Sequence, residues 1–185
     1  MKNERGITFL GIIKYISSHY GEDALEKIIE NLPEDDKVIM ILSRFEPSKW
    51  YPAKTMITLM ETTDKLFGKG DYEICYQMGK AAAENTFKGL YRALLQIGNP
   101  KAIIKREPLA WRLLFTGGSF ELEEIKDKYA RAKIVGVNDP RSSCAYRRGY
   151  FEKILELTGA RNVKLTETKC CNDGYDYCEY EVTWE

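Results

Sequence analysis

SFELEEIKDKYARAKIVGVNDPRSSCAYRRGYFEKILELTGARNVKLTETKCCNDGYDYCEYEVTW, residues 119–184, is the stretch that decides the fold. Phe120, Leu122 and Ile125, then Ala130 to Val137, predict two strands parted by Lys126, Asp127 and Lys128. A turn at Asn138, Asp139 and Pro140 leads into a helix, about Ser143 to Thr158, closed by Gly159 as its C′ residue. Val163, Leu165 and Glu167 alternate as a strand, and so do Cys178, Tyr180, Val182 and Trp184. Strands joined in the order β-β-α-β-β predict an antiparallel sheet.

Everything before Gly118 reads as helical. Ile7, Phe9, Leu10, Ile12, Ile13 and Ile16 make a first helix that is apolar nearly all round, closed by Gly21. Ala24, Leu25, Ile28, Ile29 and Leu32 form a second, ended by Pro33, and a short one follows from about Asp35 to Leu42. Residues 44–52 read as a loop marked by Pro47 and Pro52. A helix from Ala53 to Phe67 stops at Gly68. The longest begins after Asp71 as N-cap, carries Ile74, Met78, Ala82, Phe87, Leu90, Tyr91 and Leu94, and ends at Gly98 to Pro100. A last one spans about Lys101 to Phe115. The class is therefore α+β: an N-terminal helical bundle, 1–117, packed on a C-terminal antiparallel β-β-α-β-β sheet, 118–185, the two integrated.

The chain of 185 residues is 44% hydrophobic and 30% charged, which supplies a core without help from metal. Its 28 basic and 28 acidic residues cancel, so the chain lacks the basic excess of a nucleic-acid surface. The charged N-terminus and the interruption of the first apolar stretch by Lys14 and His19 fit neither a membrane helix nor a cleaved leader. Five cysteines, an odd set gathered near the C-terminus, do not make a secreted disulfide framework, and a cytoplasmic protein is expected.

Four of those cysteines lie beyond residue 143. Cys170 and Cys178 frame Gly174, Glu167 stands three residues before Cys170, and Cys144 opens the helix that packs on the sheet. Three thiolates and a carboxylate are a tetrahedral set that Zn²⁺ accepts, with no position left for a catalytic water. Spacing alone leaves a second reading equally open, in which the thiols are merely buried and Glu167 is solvated.

The residues Cys144–Gly149 (CAYRRG), Leu157-Thr158-Gly159, Glu167, Cys170, Gly174 and Cys178 resemble the 4-vinyl-reductase-type, hydrocarbon-binding domain of bacterial phenol and xylene sensors. That resemblance implies a structural zinc held by Cys144, Glu167, Cys170 and Cys178, with Cys171 out of register. The helical part is similar, on Trp50 to Pro52, Gly68 to Asp71, Met78 to Lys80 and Trp111-Arg112, to proteins related to haem–nitric-oxide-binding domains. Those need an axial histidine and a Tyr-x-Ser-x-Arg clamp. His19 is the only histidine and Tyr129–Lys133 (YARAK) is a remnant of the clamp, so haem is discounted.

The resemblance makes the chain a zinc-stabilised sensor for a hydrophobic or aromatic ligand, not an enzyme, acting through a signalling partner or a homodimer. Surplus apolar surface on the first helix favours the dimer. Trp111, Phe115, Tyr146 and Tyr150, with Phe151 beside them, are the candidate ligand-binding residues at the bundle-to-sheet junction. Arg147 and Arg148 read as exposed, and Cys75 as a small core residue. With one histidine and no Gly-rich phosphate loop, a hydrolase or nucleotide enzyme is hard to assemble. An enzyme acting on a tetrapyrrole-like or hydrophobic substrate and an adaptor subunit are the alternatives.

Overall fold

The computed structural model describes residues 2–88 and 99–185. Leu90, Tyr91, Leu94 and the helix stop at Gly98 lie outside the described residues. Eight α-helices and six strands are formed by the described part, and the strands make two antiparallel sheets.

The chain opens with β1 (Asn3–Arg5), which pairs antiparallel with β2 (Trp50–Pro52), Glu4 facing Tyr51. Residues 44–52 are therefore not all loop. Arg5 fastens the pair by laying its guanidinium over the Trp50 ring at 3.8 Å. Between these strands run α1 (Gly6–Tyr20), α2 (Glu22–Glu30) and α3 (Glu34–Leu42). Gly21 ends α1 at φ 88°, a left-handed value that a side chain would resist. Pro33 precedes α3, whose first turn gathers Glu34, Asp35 and Asp36 at the positive end of the helix dipole.

Two longer helices follow, α4 (Ala53–Phe67) and α5 (described over Glu73–Lys88). Asp71 sits two residues before α5 and accepts from the Glu73 amide at 3.1 Å. The helix expected over 101–115 is two, α6 (Pro100–Ile104) and α7 (Glu107–Leu114). Pro108 explains the break, because it has no N–H to give the carbonyl four residues back and its ring crowds that carbonyl.

The larger sheet has the order β3-β4-β6-β5, from β3 (Ser119–Lys126), β4 (Tyr129–Val135), β5 (Lys164–Lys169) and β6 (Tyr177–Thr183). The last strand is thus interior, flanked by β4 and β5. Between β4 and β5 the chain forms α8 (Arg141–Leu157). Phe151 of α8 packs edge-on against Phe120 of β3 and Tyr180 of β6. Its other side meets α5, so the helical part reaches the sheet by way of a helix that belongs to the sheet half.

α5 and α8 cross at reciprocal glycines. A Cβ on Gly79 would sit 2.0 Å from the Tyr146 carbonyl oxygen, and one on Gly149 would sit 2.0 Å from that of Tyr76. Salt bridges tie the flanks, from Lys80 to Glu152 at 2.6 Å and from Lys153 to Glu84 at 2.9 Å. α1 packs on the other side of α5 and buries Ile7, Phe9, Ile12 and Ile16, with Leu10 and Ile13 half-buried against the core. The apolar surface of the first helix is therefore used largely within the chain. Among the described residues no helix is long and apolar enough to cross a membrane.

Candidate metal centre and adjoining cavity

Four elements deliver the cysteine cluster. Cys144 is in the first turn of α8, Glu167 faces Tyr180 across the β5–β6 pair, Cys170 follows β5 in extended backbone, and Cys178 faces Ile134 across the β4–β6 pair. A short turn over Cys171–Asp173 reverses the chain, and Gly174 closes it at φ 90°. The sequence needs glycine there to return Cys178 beneath Cys170.

Ligand atoms of Cys144, Glu167, Cys170 and Cys178 all lie within 4.8 Å of one another. The Cys144 Sγ is 3.5 Å from that of Cys170 and 4.0 Å from that of Cys178. Zn–S bonds of about 2.3 Å in a tetrahedron place sulfurs about 3.8 Å apart, inside that range. Glu167 Oε1 is buried with no hydrogen-bond partner among the described residues, an acceptor that a cation would satisfy. Without a cation the cluster resolves by sharing protons. Cys178 is pulled down to about 5 because the Cys144 thiol donates to it, while the same shared hydrogen, then burial, pushes Cys144 up. Burial raises the Glu167 carboxyl, with the Cys178 thiolate adding to the effect.

Cys171 is close but different. Its Sγ lies 3.6 Å from Cys178 Sγ, yet it is half-buried and turned toward the Asp139 carbonyl. Asn172 braces the loop, its amide donating to the Asp139 carbonyl at 3.0 Å and reaching Cys170 Sγ at 3.5 Å.

Arg147 departs from its expected exposure. It is 2% exposed, one helical turn beyond Cys144, and its guanidinium donates to the buried Asp139 carboxylate. It also stands 5.9 Å above the Trp111 ring and draws down the thiolates electrostatically. Arg148 is exposed as expected. Glu4, fully buried on β1, accepts from Thr8 at 3.2 Å, and burial pushes its carboxyl up to about 8 against the opposing pull of Arg147.

The four candidate ligand-binding aromatics are buried and fall into two pairs: Trp111 with Phe115 at 4.6 Å between centroids, Tyr146 with Tyr150 at 6.1 Å. None of the four lines the apolar cavity found among the described residues. That cavity, about 40 Å³, lies between α6–α7, α8 and the sheet, walled by Ile103, Ile104, Phe120, Phe151 and Tyr180, with Glu107 as its acidic member. The sequence reading places Phe151 near the junction but misses Glu107, which it leaves inside a supposedly unbroken helix. Pro108 is the signal that could have found it. His19 sits at the exposed end of α1, stacked on Tyr15 at 4.0 Å. Cys75 is buried on α5, and burial pushes its thiol up to about 12.

Residues 122–183, about a third of the chain, match the family model of the 4-vinyl-reductase (V-4-R) domain, and all four clustered ligands fall inside the match. No curated protein matches the chain. In fold it is similar throughout to H-NOX proteins. One, from S. oneidensis in the Fe(II)NO ligation state, shares 10% identity over 98% of this chain and 99% of its own, at a TM-score of 0.78. An Fe(II) unliganded H-NOX protein from K. algicida shares 14% over 100% and 97%, at 0.74. An H-NOX domain from Shewanella oneidensis in the Fe(II)CO state shares 11% over 100% and 99%, at 0.76. These matches correct one expectation. The sequence reading discounts haem on a motif-level likeness in the helical part, but the likeness of fold spans the whole chain and includes proteins solved in defined Fe(II) ligation states. A histidine count no longer removes haem from consideration.

Proposed function

We propose that the protein is a small-molecule sensor module, stabilised by a zinc ion on Cys144, Glu167, Cys170 and Cys178, which binds a hydrophobic ligand without turning it over. One observation carries the reading. Tyr180, which lines the apolar cavity, stands two residues from Cys178 on the same face of β6 and opposite Glu167 on β5. Metal and ligand would therefore share one strand, the metal holding the head of α8 while the cavity touches its middle. Three thiolates and a carboxylate saturate a tetrahedral ion, in keeping with a structural rather than a hydrolytic metal. The family match over 122–183 and the H-NOX-like fold support a sensor over an enzyme.

The two parts, 1–117 and 118–185, act as one integrated unit in this reading, in the cytoplasm, where thiols stay reduced. Output passes to a signalling partner or through a homodimer. Support for the dimer now comes from Ile41 and Leu42 of α3, 64% and 75% exposed, rather than from α1. A native mass spectrum of protein purified under reducing conditions tests the whole reading. One zinc per chain and a small apolar ligand are expected. Metal-free protein removes the zinc, a haem mass with its visible absorption band makes haem the ligand, and conversion of a small molecule restores the enzyme.

A further inference from the structure

Glu107 is an acid in the wrong surroundings. It opens α7, is 6% exposed, lines the apolar cavity and has a buried Oε1 with no hydrogen-bond partner among the described residues. Burial alone pushes its carboxyl up to about 8, with no described basic group contributing. At neutral pH such a carboxyl is protonated and offers one O–H donor. The surrounding walls are hydrocarbon and aromatic ring, so nothing there would solvate an ion pair. The volume, about 40 Å³, limits the occupant further. A water needs at least about 10–15 Å³ and a cavity that takes benzene measures about 150 Å³.

We infer that this cavity binds an uncharged molecule of a few heavy atoms whose single acceptor oxygen takes a hydrogen bond from the Glu107 carboxyl. The inference rests on the sensor reading and narrows its ligand from hydrophobic or aromatic molecules in general to short ketones, ethers or alcohols. An aromatic ring would require Phe120 or Phe151 to move. A pure hydrocarbon would leave the buried donor unpaired, and an ammonium ion would force a buried charge into being.

Isoleucine-methyl NMR on the full chain tests this with three probes: 2-butanone, its hydrocarbon isostere 2-methyl-1-butene, and butylammonium. Methyl signals of Ile103, Ile104 and Ile154 should shift and saturate with butanone, at a Kd about tenfold below that of the alkene. Butylammonium should leave them unmoved. Glu107→Leu should erase the preference, Glu107→Gln should keep it, and Ala132→Leu should block both neutral probes by filling the space. If butanone and the alkene bind equally to the native chain, the Glu107 assignment is overturned while the cavity stands. If no probe binds, or Ala132→Leu changes nothing, the cavity reading itself fails. Stronger binding of butylammonium overturns the neutral class. Should Glu107→Leu fail to fold, the butanone-to-alkene comparison in the native chain and in Glu107→Gln still decides.

Discussion

Gly149→Ala is expected to destabilise the protein, although alanine is the better helix former. The added Cβ would lie 2.0 Å from the Tyr76 carbonyl oxygen, 2.9 Å from its carbon and 3.2 Å from the Lys80 amide nitrogen. Carbon–oxygen contacts between helices settle at about 3.3–3.6 Å, so α5 and α8 must part by more than 1 Å. Both colliding groups are backbone, and no rotamer change relieves the contact. Overpacking of this kind costs about 1–3 kcal/mol and sometimes more, while alanine returns about 1 kcal/mol of helix propensity. Separation also strips contact from the core on both helices and stretches the Lys80–Glu152 and Lys153–Glu84 pairs. A net loss of about 2–3 kcal/mol follows, which for a chain of this size lowers Tm by roughly 4–12 °C. Gly79→Ala should behave alike, because its Cβ would meet the Tyr146 carbonyl oxygen at 2.0 Å. The double variant should lose less than the sum, since one displacement of the helices relieves both clashes. Urea titration of the four proteins provides the cycle. A neutral or stabilised Gly149→Ala, or strictly additive losses, would refute a tight backbone crossing.

Other outcomes follow from the same structure. Cys170→Ser should release the metal and lower Tm, whereas Cys171→Ser should do neither; equal behaviour in metal analysis and thermal melts would redraw the ligand set. Arg147→Met should cost about 3–5 kcal/mol by leaving Asp139 buried and uncompensated, and a loss below about 1 kcal/mol by urea titration would place that pair in water. Glu107 releases its proton near 4.5 in the unfolded chain but near 8 in the folded one. Across that window the folded state holds the extra proton, so this group's contribution is complete below 4.5 and lost as pH rises toward 8. The loss approaches ~1.4 kcal/mol per pH unit. Glu107→Gln should flatten the pH dependence of the urea midpoint between about pH 5.5 and 7.5 relative to the native chain, and parallel curves would count against the burial of this carboxyl.

The metal set was legible because its geometry is local: alternation along two strands, a glycine between Cys170 and Cys178, and one thiol at a helix start. The β-β-α-β-β order was legible for the same reason. Sheet order was not, since Val163 to Glu167 and Cys178 to Trp184 alternate equally well and nothing in either marks β6 as the inner strand. β1 and β2 have three residues each, too few for a period to show. Arg147 looked solvated because its burial depends on Asp139, which lies in a turn before the helix and comes near only when α8 folds. Glu107 was lost to a helix drawn through Pro108, and with it the cavity.

The glycine crossing also limits how this molecule can move. Where side chains interlock, a disturbance can be absorbed by repacking a few rotamers. Here the two helices touch through their main chains, so neither can tilt or deform locally without lifting off the other. Phe151, Ile154 and Leu155 form part of the cavity wall and ride on α8, two residues or more beyond Gly149. A body pressing on that wall would be transmitted as a slide of the whole rod along its neighbour, carrying Cys144 at one end and Lys153 with its salt bridges toward the other. The contact works as a bearing, stiff across the axis and compliant along it.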